Sequence, residues 1–302
     1  PARSSSERSS AASTDVVTLG RLGWYRASRP IDPSTGLPRR AEDRLTDVRW
    51  YTPGTRVLRR WLNPELQGQE RDETQQAITL YLRDGDGWSP DSWGGIMRGL
   101  SRTGLDLSKA QFIEVWVNDG RRDPNRRRGK LHIDFGTISE DFTWPRDPDT
   151  GQLEFGTEQR EDLNFDGIFN VATEDVGLDA VVTSDGTVVT PGADYSAERI
   201  VEGQPGPYPA INNTAGNNYE DSEDLNGDSQ FSTRDSYYSV TIDLAETEPL
   251  VDVAQEYPDA EVQDTAWRKY RIRLSDEFLE TIADAGAPNI AAVKHVRIWY
   301  ED

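Results

Sequence analysis

The amino-acid sequence predicts an all-β protein: a jelly-roll-like (galactose-binding-like) β-sandwich with a long acidic, Asp- and Asn-rich loop insert and little helix. Three observations lead to this prediction. Apolar and polar residues alternate with a period of two in several segments, as they do in strands that bury one face. The segments between them are rich in Gly, Pro, Asn and Asp. Many short strands with almost no helical periodicity favour a sandwich over a βαβ fold.

Six segments carry the alternation and are predicted to be strands. They are residues 76–83, 111–118, 130–135, 239–244, 268–274 and 293–300. In the third segment, Leu131, Ile133 and Phe135 are predicted to point into the core, and His132 and Asp134 to point outward. Each strand is therefore expected to have one buried and one exposed face.

One short helix is predicted, over Ser275–Ala285. Ser275 is a favourable N-cap residue, and the acidic pair that follows it suits the positive end of a helix. Gly286 is a common residue just after a helix and would end this one. The helix would be the exception in a chain of strands.

The chain divides into three predicted parts. Residues 1–15 have no apolar stretch and are expected to be a disordered arm. Residues 16–73 are predicted to form an N-terminal arm with one or two strands. Residues 74–302 are predicted to form the sandwich domain, interrupted by the acidic insert at about residues 140–236.

Composition excludes several classes of function. The 302 residues carry a formal charge of −21, which argues against nucleic acid as a partner. The absence of Cys excludes disulfides, zinc-thiolate sites and thiol nucleophiles. No run of about 18 apolar residues is present, so no transmembrane segment is expected in this chain. The N-terminus also lacks the apolar region of a signal peptide.

The acidic insert is the first place to look for a ligand. Residues 139–262 contain 29 acidic residues and four Arg. A loop of nearly a hundred residues is improbable in a compact domain unless something else holds it. A bound cation could supply that support, because it would neutralise the mutual repulsion of the carboxylates.

Two stretches of the insert resemble calcium-binding loops, which place oxygen ligands at alternate positions of a tight twelve-residue turn. We name residues 162–175 loop A and residues 224–235 loop B. Loop A has Gly167 at the sixth position, where the turn is sharp, but Thr173 at the twelfth position, where an acid is expected. The predicted ligands to one or two structural Ca²⁺ ions are, in loop B, Asp224, Asn226, Asp228, the carbonyl of Gln230, Ser232 and Asp235, and, in loop A, Asp162, Asn164, Asp166, Ile168, Asn170, Glu174 and Asp175. Solvated Asx-rich turns are the alternative interpretation.

Catalysis finds little support in the sequence. Only His132 and His295 are present, so a three-His metal centre is impossible, and both lie on strand faces expected to be exposed. No nucleophile elbow, P-loop or dinucleotide-binding fingerprint is present. We therefore predict that the protein is not an enzyme, with a glycoside hydrolase as a remote alternative, since paired carboxylates can be nominated anywhere in so acidic a chain.

A glycan-binding module is the alternative from another class, because jelly rolls often bind sugars on aromatic side chains. Trp116 and Trp299 lie on the strand faces opposite the apolar residues and are the candidates for a stacking surface. Most Trp residues of a sandwich pack in the core or at its rim, which is the simpler interpretation.

Several blocks of sequence resemble soluble regions of the SprA/Sov family, the outer-membrane translocons of the type 9 secretion system that are tied to gliding motility. The blocks are Leu22–Tyr25 (LGWY), Trp93–Arg98 (WGGIMR), Ala110–Val117 (AQFIEVWV), Gly129–Asp141 (GKLHIDFGTISED), Thr173–Asp179 (TEDVGLD) and Val293–Ile298 (VKHVRI). The resemblance implies a place in the cell envelope, outer-membrane-associated or extracellular, and protein partners in export or surface assembly. The chain departs from the family in its length and in having no series of lipid-facing strands.

Overall fold

The computed structural model describes most of the chain and nearly all of its regular structure is β-strand. The described residues are 23–32, 34–37, 39, 47–51, 57–63, 66–83, 92–120, 124–144, 149–152, 154–162, 164, 166–175, 178, 181–182, 188–189, 218–246, 250–251, 266–275, 279–283 and 286–301. The predicted disordered arm, residues 1–15, lies outside this set. Every pairing of strands within the set is antiparallel, which confirms the all-β prediction.

The strands are short, and the described part of the chain has little helix. In chain order the strands are β1 (Tyr25–Arg26), β2 (Asp47–Tyr51), β3 (Val57–Leu58), β4 (Thr74–Gln75), β5 (Thr79–Arg83), β6 (Trp93–Gly99), β7 (Phe112–Val117), β8 (Lys130–Thr137), β9 (Val181–Val182), β10 (Val188–Val189), β11 (Ser236–Asp243), β12 (Leu250–Val251), β13 (Arg268–Arg273), β14 (Glu280–Ala283) and β15 (His295–Glu301). The helical turns are α1 (Arg59–Leu62) and two 3₁₀ turns, Gly68–Asp72 and Pro124–Arg126. All six predicted strand segments overlap observed strands.

A six-stranded main sheet forms one layer of the sandwich, in the order β1-β6-β15-β8-β11-β14. Its two central strands are β15 and β8, and β15 pairs with β6 on its other side. The strands β8 and β11 flank the acidic insert in sequence and pair over eight residues, from Lys130 opposite Asp243 to Thr137 opposite Ser236. The insert therefore leaves and re-enters the main sheet at neighbouring strands. The jelly-roll connectivity stays a prediction.

The second layer consists of the three-stranded sheet β12-β13-β7 and the pair β2-β5. Their apolar side chains, Trp50 and Tyr270 among them, share one core with Ile133, Phe135 and Val296 of the main sheet. Period-two alternation places these main-sheet residues on the same face, as the sequence predicts for β8 and β15. Burial of this apolar surface is the main force that holds the two layers together.

The N-terminal part contributes to the same core. The strand β2 pairs with β5 in register from Tyr51 opposite Thr79, and Trp50 of β2 is fully buried. The strand β1 forms the edge of the main sheet by pairing with β6. Of the three described strands in residues 16–73, β1 and β2 therefore belong to the layers of the sandwich, whereas β3 pairs with β4 in a separate sheet.

The prediction of a helix over Ser275–Ala285 is wrong. Residues 280–283 form strand β14, which pairs with β11 so that Ile282 lies opposite Tyr237 and packs in a small apolar cluster. The edge of the main sheet offers backbone hydrogen bonds and a buried place for Ile282. These tertiary contacts outweigh the weak helical preference of the segment.

The second face of the main sheet is also buried, so the prediction that His132, Asp134 and His295 are exposed is wrong. His132 and His295 are fully buried, as are Asp134 and Arg297. In this buried network Arg297 donates from Nε to Asp134 Oδ2 at 2.8 Å, and Ser239 also donates to Asp134. The polar residues of this face are buried because the acidic insert and the segment after β1 cover it.

Candidate metal centre in the acidic insert

The two halves of the insert run antiparallel and hold each other through backbone hydrogen bonds. Glu161 donates from its backbone nitrogen to the carbonyl of Asp221 at 3.0 Å, and Glu223 donates to the carbonyl of Gln159 at 3.0 Å. Loop A follows the first half and loop B follows the second. The insert is thus a structured layer in its described residues.

Glu223 connects this layer to the chain that leaves β8. Its carboxylate accepts hydrogen bonds from the backbone nitrogens of Phe142, Thr143 and Gln159 at 2.9, 2.6 and 2.8 Å. Burial raises the pKa of Glu223 to about 8, against the opposing effect of the three N–H donors. A carboxyl group in this position joins three segments of the insert.

Loop A forms a tight turn around the carboxylate of its first residue. Asp162 accepts from the backbone nitrogens of Asp166 at 3.2 Å and Gly167 at 2.8 Å. Asp166 in turn accepts from the nitrogen of Ile168 at 2.8 Å. Gly167 has φ of 76°, the left-handed conformation that the sixth position of such a turn requires.

Loop B repeats this geometry. Asp224 accepts from the backbone nitrogens of Asp228 at 3.0 Å and Ser229 at 2.7 Å, and Asp228 accepts from that of Gln230 at 3.0 Å. Ser229 has φ of 65°, so a non-glycine residue adopts the left-handed conformation at the sixth position. The sequence has no glycine at this position that would predict the conformation.

Glu174 closes loop A from the position after the expected one. Its Oε1 accepts from Asn164 Nδ2 at 2.9 Å and its Oε2 accepts from the backbone nitrogen of Asn170 at 2.7 Å. Asp175, the other predicted acid, turns away and accepts from the backbone nitrogen of Asn218 at 2.8 Å. Ile168 is 70 % exposed, so only its backbone belongs to the turn.

The remaining predicted residues of loop B divide in the same way. Asn226 lies beside Glu140, an acid outside the loop, and donates to its Oε1 from Nδ2 at 3.0 Å. Ser232 donates from its backbone nitrogen to Glu140 Oε2 at 2.9 Å. Asp235, at the twelfth position, instead accepts from the backbone nitrogen of Ser139 at 3.1 Å. Sequence reasoning missed Glu140 because no spacing rule connects it to a loop more than eighty residues away.

Charge is balanced differently in the two loops. Lys294 donates from Nζ to Asp228 Oδ2 at 2.7 Å, and this hydrogen bond lowers the pKa of Asp228 below its usual value. No ion pair to a described residue reaches Asp162, Asp166 or Glu174 of loop A. Among the residues that the structure describes, no three His, Asp or Glu side chains converge closely enough to hold a metal ion. The oxygens that surround each turn are a mixture of Asp, Asn and backbone groups.

The two Trp candidates for sugar binding lie in different environments. Trp116 is half-buried on β7, opposite Lys269 of β13. Trp299 is 1 % exposed, stacks on His132 with 3.8 Å between ring centroids, and donates to Asp134 Oδ2 at 2.9 Å. The expectation that Trp299 offers a surface for stacking is therefore wrong, because the covering insert makes its face of the sheet internal.

In comparisons with known proteins, neither a protein-family model nor a curated protein matches the chain. Among the described residues, no helix combines the length and apolarity needed to cross a bilayer.

Proposed function

We propose that this chain is a non-catalytic, calcium-stabilised module of the cell envelope, which resembles a soluble part of the SprA-type translocon and works through protein–protein contacts. Calcium in loops A and B would order the acidic insert, and the ordered insert would present the contact surface. The observation that carries the proposal is the common geometry of two separate loops at calcium-loop spacing.

The shared hydrogen bonds support calcium over unrelated polar turns. In both loops, the first Asp accepts from the fifth and sixth backbone nitrogens, and the fifth residue accepts from the seventh. In calcium loops, such a curl lets side chains at alternate positions and one carbonyl surround a common centre. Because two separate turns share this hydrogen-bond pattern, we infer that both bind the same kind of ligand.

Loop B also contains an oxygen with no partner. Asn226 is 7 % exposed, and its Oδ1 accepts no hydrogen bond while its Nδ2 donates to Glu140. A buried amide oxygen without a partner costs about 1–3 kcal/mol. Coordination of a hard cation such as Ca²⁺ would satisfy it, and Asn226 occupies the third position, where calcium loops place a ligand.

The electrostatics of the insert favour a cation as well. Its buried acidic side chains are Glu140, Glu161, Asp162, Glu174, Asp221, Glu223 and Asp235. Buried carboxylates are costly unless they are paired or coordinate a metal. Ordering of the insert would then depend on calcium at the concentrations of roughly 0.1–1 mM that extracellular modules sense.

The surface of the insert supports a role in protein contacts. Among the described residues, four of the six large apolar side chains that are exposed lie in the insert: Phe155, Ile168, Val171 and Tyr219. Exposed apolar side chains that gather in one patch mark a protein interaction site. Two of them, Ile168 and Val171, lie in loop A, so calcium would control how they are presented.

Removal of calcium tests the proposal. Addition of 10 mM CaCl₂ to protein treated with EGTA should stabilise it by about 1.5–3 kcal/mol per site, and thereby raise Tm by roughly 5–10 °C. Limited proteolysis should cut residues 140–236 faster without calcium, and Asp228→Ala should have the same effect at loop B. Mg²⁺ is the control, because it demands a smaller octahedral site. Equal melting and equal proteolysis with and without calcium would reject the metal role.

The envelope role needs a separate test. In intact cells that express the gene at its natural level, protease added outside the cells should digest the module. Calcium should slow cleavage within the insert. If the module resists external protease in intact cells and is digested only after lysis, its position is not extracellular.

A further inference from the structure

We propose that Glu140, which lies outside loop B in sequence, is the acidic calcium ligand that closes loop B, and that the twelfth-position Asp235 is not. The inference rests on the proposed function, namely that loop B binds calcium, and it names the residue that completes the site. Calcium loops of this type require a bidentate acid after the turn, and that acid supplies two of the oxygens around the ion.

Loop A shows what a closing acid contacts in this protein. The Oε1 of Glu174 accepts from the side-chain amide of the third residue, Asn164, at 2.9 Å. Its Oε2 accepts from the backbone nitrogen of the ninth residue, Asn170, at 2.7 Å. The acid thus spans the opening of the turn from the third to the ninth position.

Glu140 makes the same two contacts in loop B. Its Oε1 accepts from the side-chain amide of the third residue, Asn226, at 3.0 Å, and its Oε2 accepts from the backbone nitrogen of the ninth residue, Ser232, at 2.9 Å. The backbone nitrogen of Glu140 also donates to the carbonyl of Ser232 at 2.7 Å. Glu140 therefore occupies, relative to loop B, the place that Glu174 occupies relative to loop A.

Asp235 has another partner. Its Oδ1 accepts from the backbone nitrogen of Ser139 at 3.1 Å, where the chain leaves β8 beside the start of β11. This contact continues the β8–β11 pairing beyond Thr137 and Ser236. The same pairing carries Glu140 alongside residue 232, which explains how a remote acid reaches the loop.

An unsatisfied buried oxygen marks the ligand position independently of the acids. Asn226 is more than nine-tenths buried, its Nδ2 donates to Glu140, and its Oδ1 has no hydrogen-bond partner. As the third residue of the turn, Asn226 stands where calcium loops place a ligand. A cation bound beside Asn226 would gain this oxygen as a ligand.

His295 is a positioning residue for Glu140. Its Nδ1 accepts from the backbone nitrogen of Ile138 at 3.1 Å, so the ring proton lies on Nε2, which donates to Glu140 Oε1 at 3.0 Å. Both side chains are fully buried. A histidine that orients a ligating carboxylate in this way is a common outer partner of a metal site.

Calcium titration by calorimetry of the unmodified protein and three variants tests the inference. Glu174→Gln silences loop A and provides the background. In that background, Glu140→Gln should abolish the remaining site or weaken it by at least the roughly 10- to 100-fold typical of losing an outer partner. Asp235→Asn should leave it within about threefold. The reverse ranking of Glu140→Gln and Asp235→Asn would overturn the inference, whereas absence of any calcium binding to the unmodified protein would overturn the proposed function itself.

A crystal structure of the unmodified protein grown with 10 mM CaCl₂ gives a test that needs no variant to fold. We expect both oxygens of Glu140 at about 2.3–2.6 Å from an ion in loop B, together with Asn226 Oδ1. An ion in loop B that is coordinated by Asp235 and not by Glu140 would refute the assignment.

Discussion

Loops A and B share one backbone geometry but differ in how they are closed and neutralised. In loop A the closing acid, Glu174, follows four residues after the ninth position, and no ion pair to a described residue reaches the carboxylates of the turn. In loop B the acid at the same place is Glu140 from the far end of the insert, and Lys294 pairs with Asp228. Loop A is therefore a local unit, whereas loop B exists only as part of the folded sheet.

The two loops also differ in how they attach to the sandwich. Leu225 of loop B packs against a small apolar cluster that includes Met97 and Tyr237, and the backbone at Leu225 passes over Gly99 of β6. Ile168 and Val171 of loop A are exposed. This contrast teaches that loop B packs on the sheet, whereas loop A exposes these two side chains and, under the proposed function, would depend on the ion for its order.

The largest expected effect comes from blocking the place where loop B lies on the sheet. A Cβ atom at position 99 would lie 2.1 Å from the carbonyl oxygen of Leu225 and 2.8 Å from Asn226 Cα. Gly99→Val must displace this backbone, so we expect a loss of about 1–3 kcal/mol in the free energy of unfolding, measured with urea. Calcium binding at loop A should persist.

Thr103→Val, at an exposed position four residues further on, is the control for this substitution and should stay within about 0.5 kcal/mol of the unmodified protein. Gly99→Val protein as stable as that control would mean that loop B does not pack on β6 as described.

An intermediate effect is expected at the closing acid of loop A. Glu174→Gln keeps the size of the side chain but removes its charge, and should weaken calcium binding at loop A by about 10- to 100-fold in calorimetry. The matched control is Asp175→Asn, because Asp175 contacts Asn218 and not the turn. Comparable losses of affinity in the two variants would show that the ligand assignment within loop A is wrong.

The smallest effect is expected from Lys294, whose ammonium group pairs with Asp228 of loop B. Lys294 is partly exposed, so its pairing with Asp228 is worth no more than about 1 kcal/mol. In the Glu174→Gln background, Lys294→Met should tighten calcium binding at loop B by about two- to fivefold, because the ion no longer competes with an ammonium group.

Lys294→Arg retains the charge and serves as the control, with little change expected in calcium affinity. Weaker calcium binding in Lys294→Met than in Lys294→Arg would indicate that Lys294 supports the turn instead of competing with the ion.

Alternation in the sequence was sufficient to predict the strands that bury one apolar face, such as β7 and β13. It could not reveal β6, whose residues Trp93–Gly99 are mostly buried on both faces, so that apolar and glycine residues replace the alternating pattern. The helix assigned over residues 275–285 failed for a related reason. Its apolar residues fit either period, and only the free edge of β11 decided between them.

The spacing of the predicted ligand residues within loops A and B could be read from the sequence, because the residues of a tight turn lie close together along the chain. The sequence did not reveal the left-handed Ser229, because no glycine marks that position, nor the contact of Glu140 with loop B, because that contact depends on how distant segments pack. His132, Asp134, Arg297 and Trp299 look solvent-facing in the alternation, yet they are buried. Arg297 contacts Ser28 and Arg29 of the segment after β1. Trp299 packs with Trp144 of the insert. The alternation of a strand is set by residues that are neighbours in the sequence. The segment that covers one face of a sheet is set by contacts between residues far apart in the chain, so only the tertiary structure decides it.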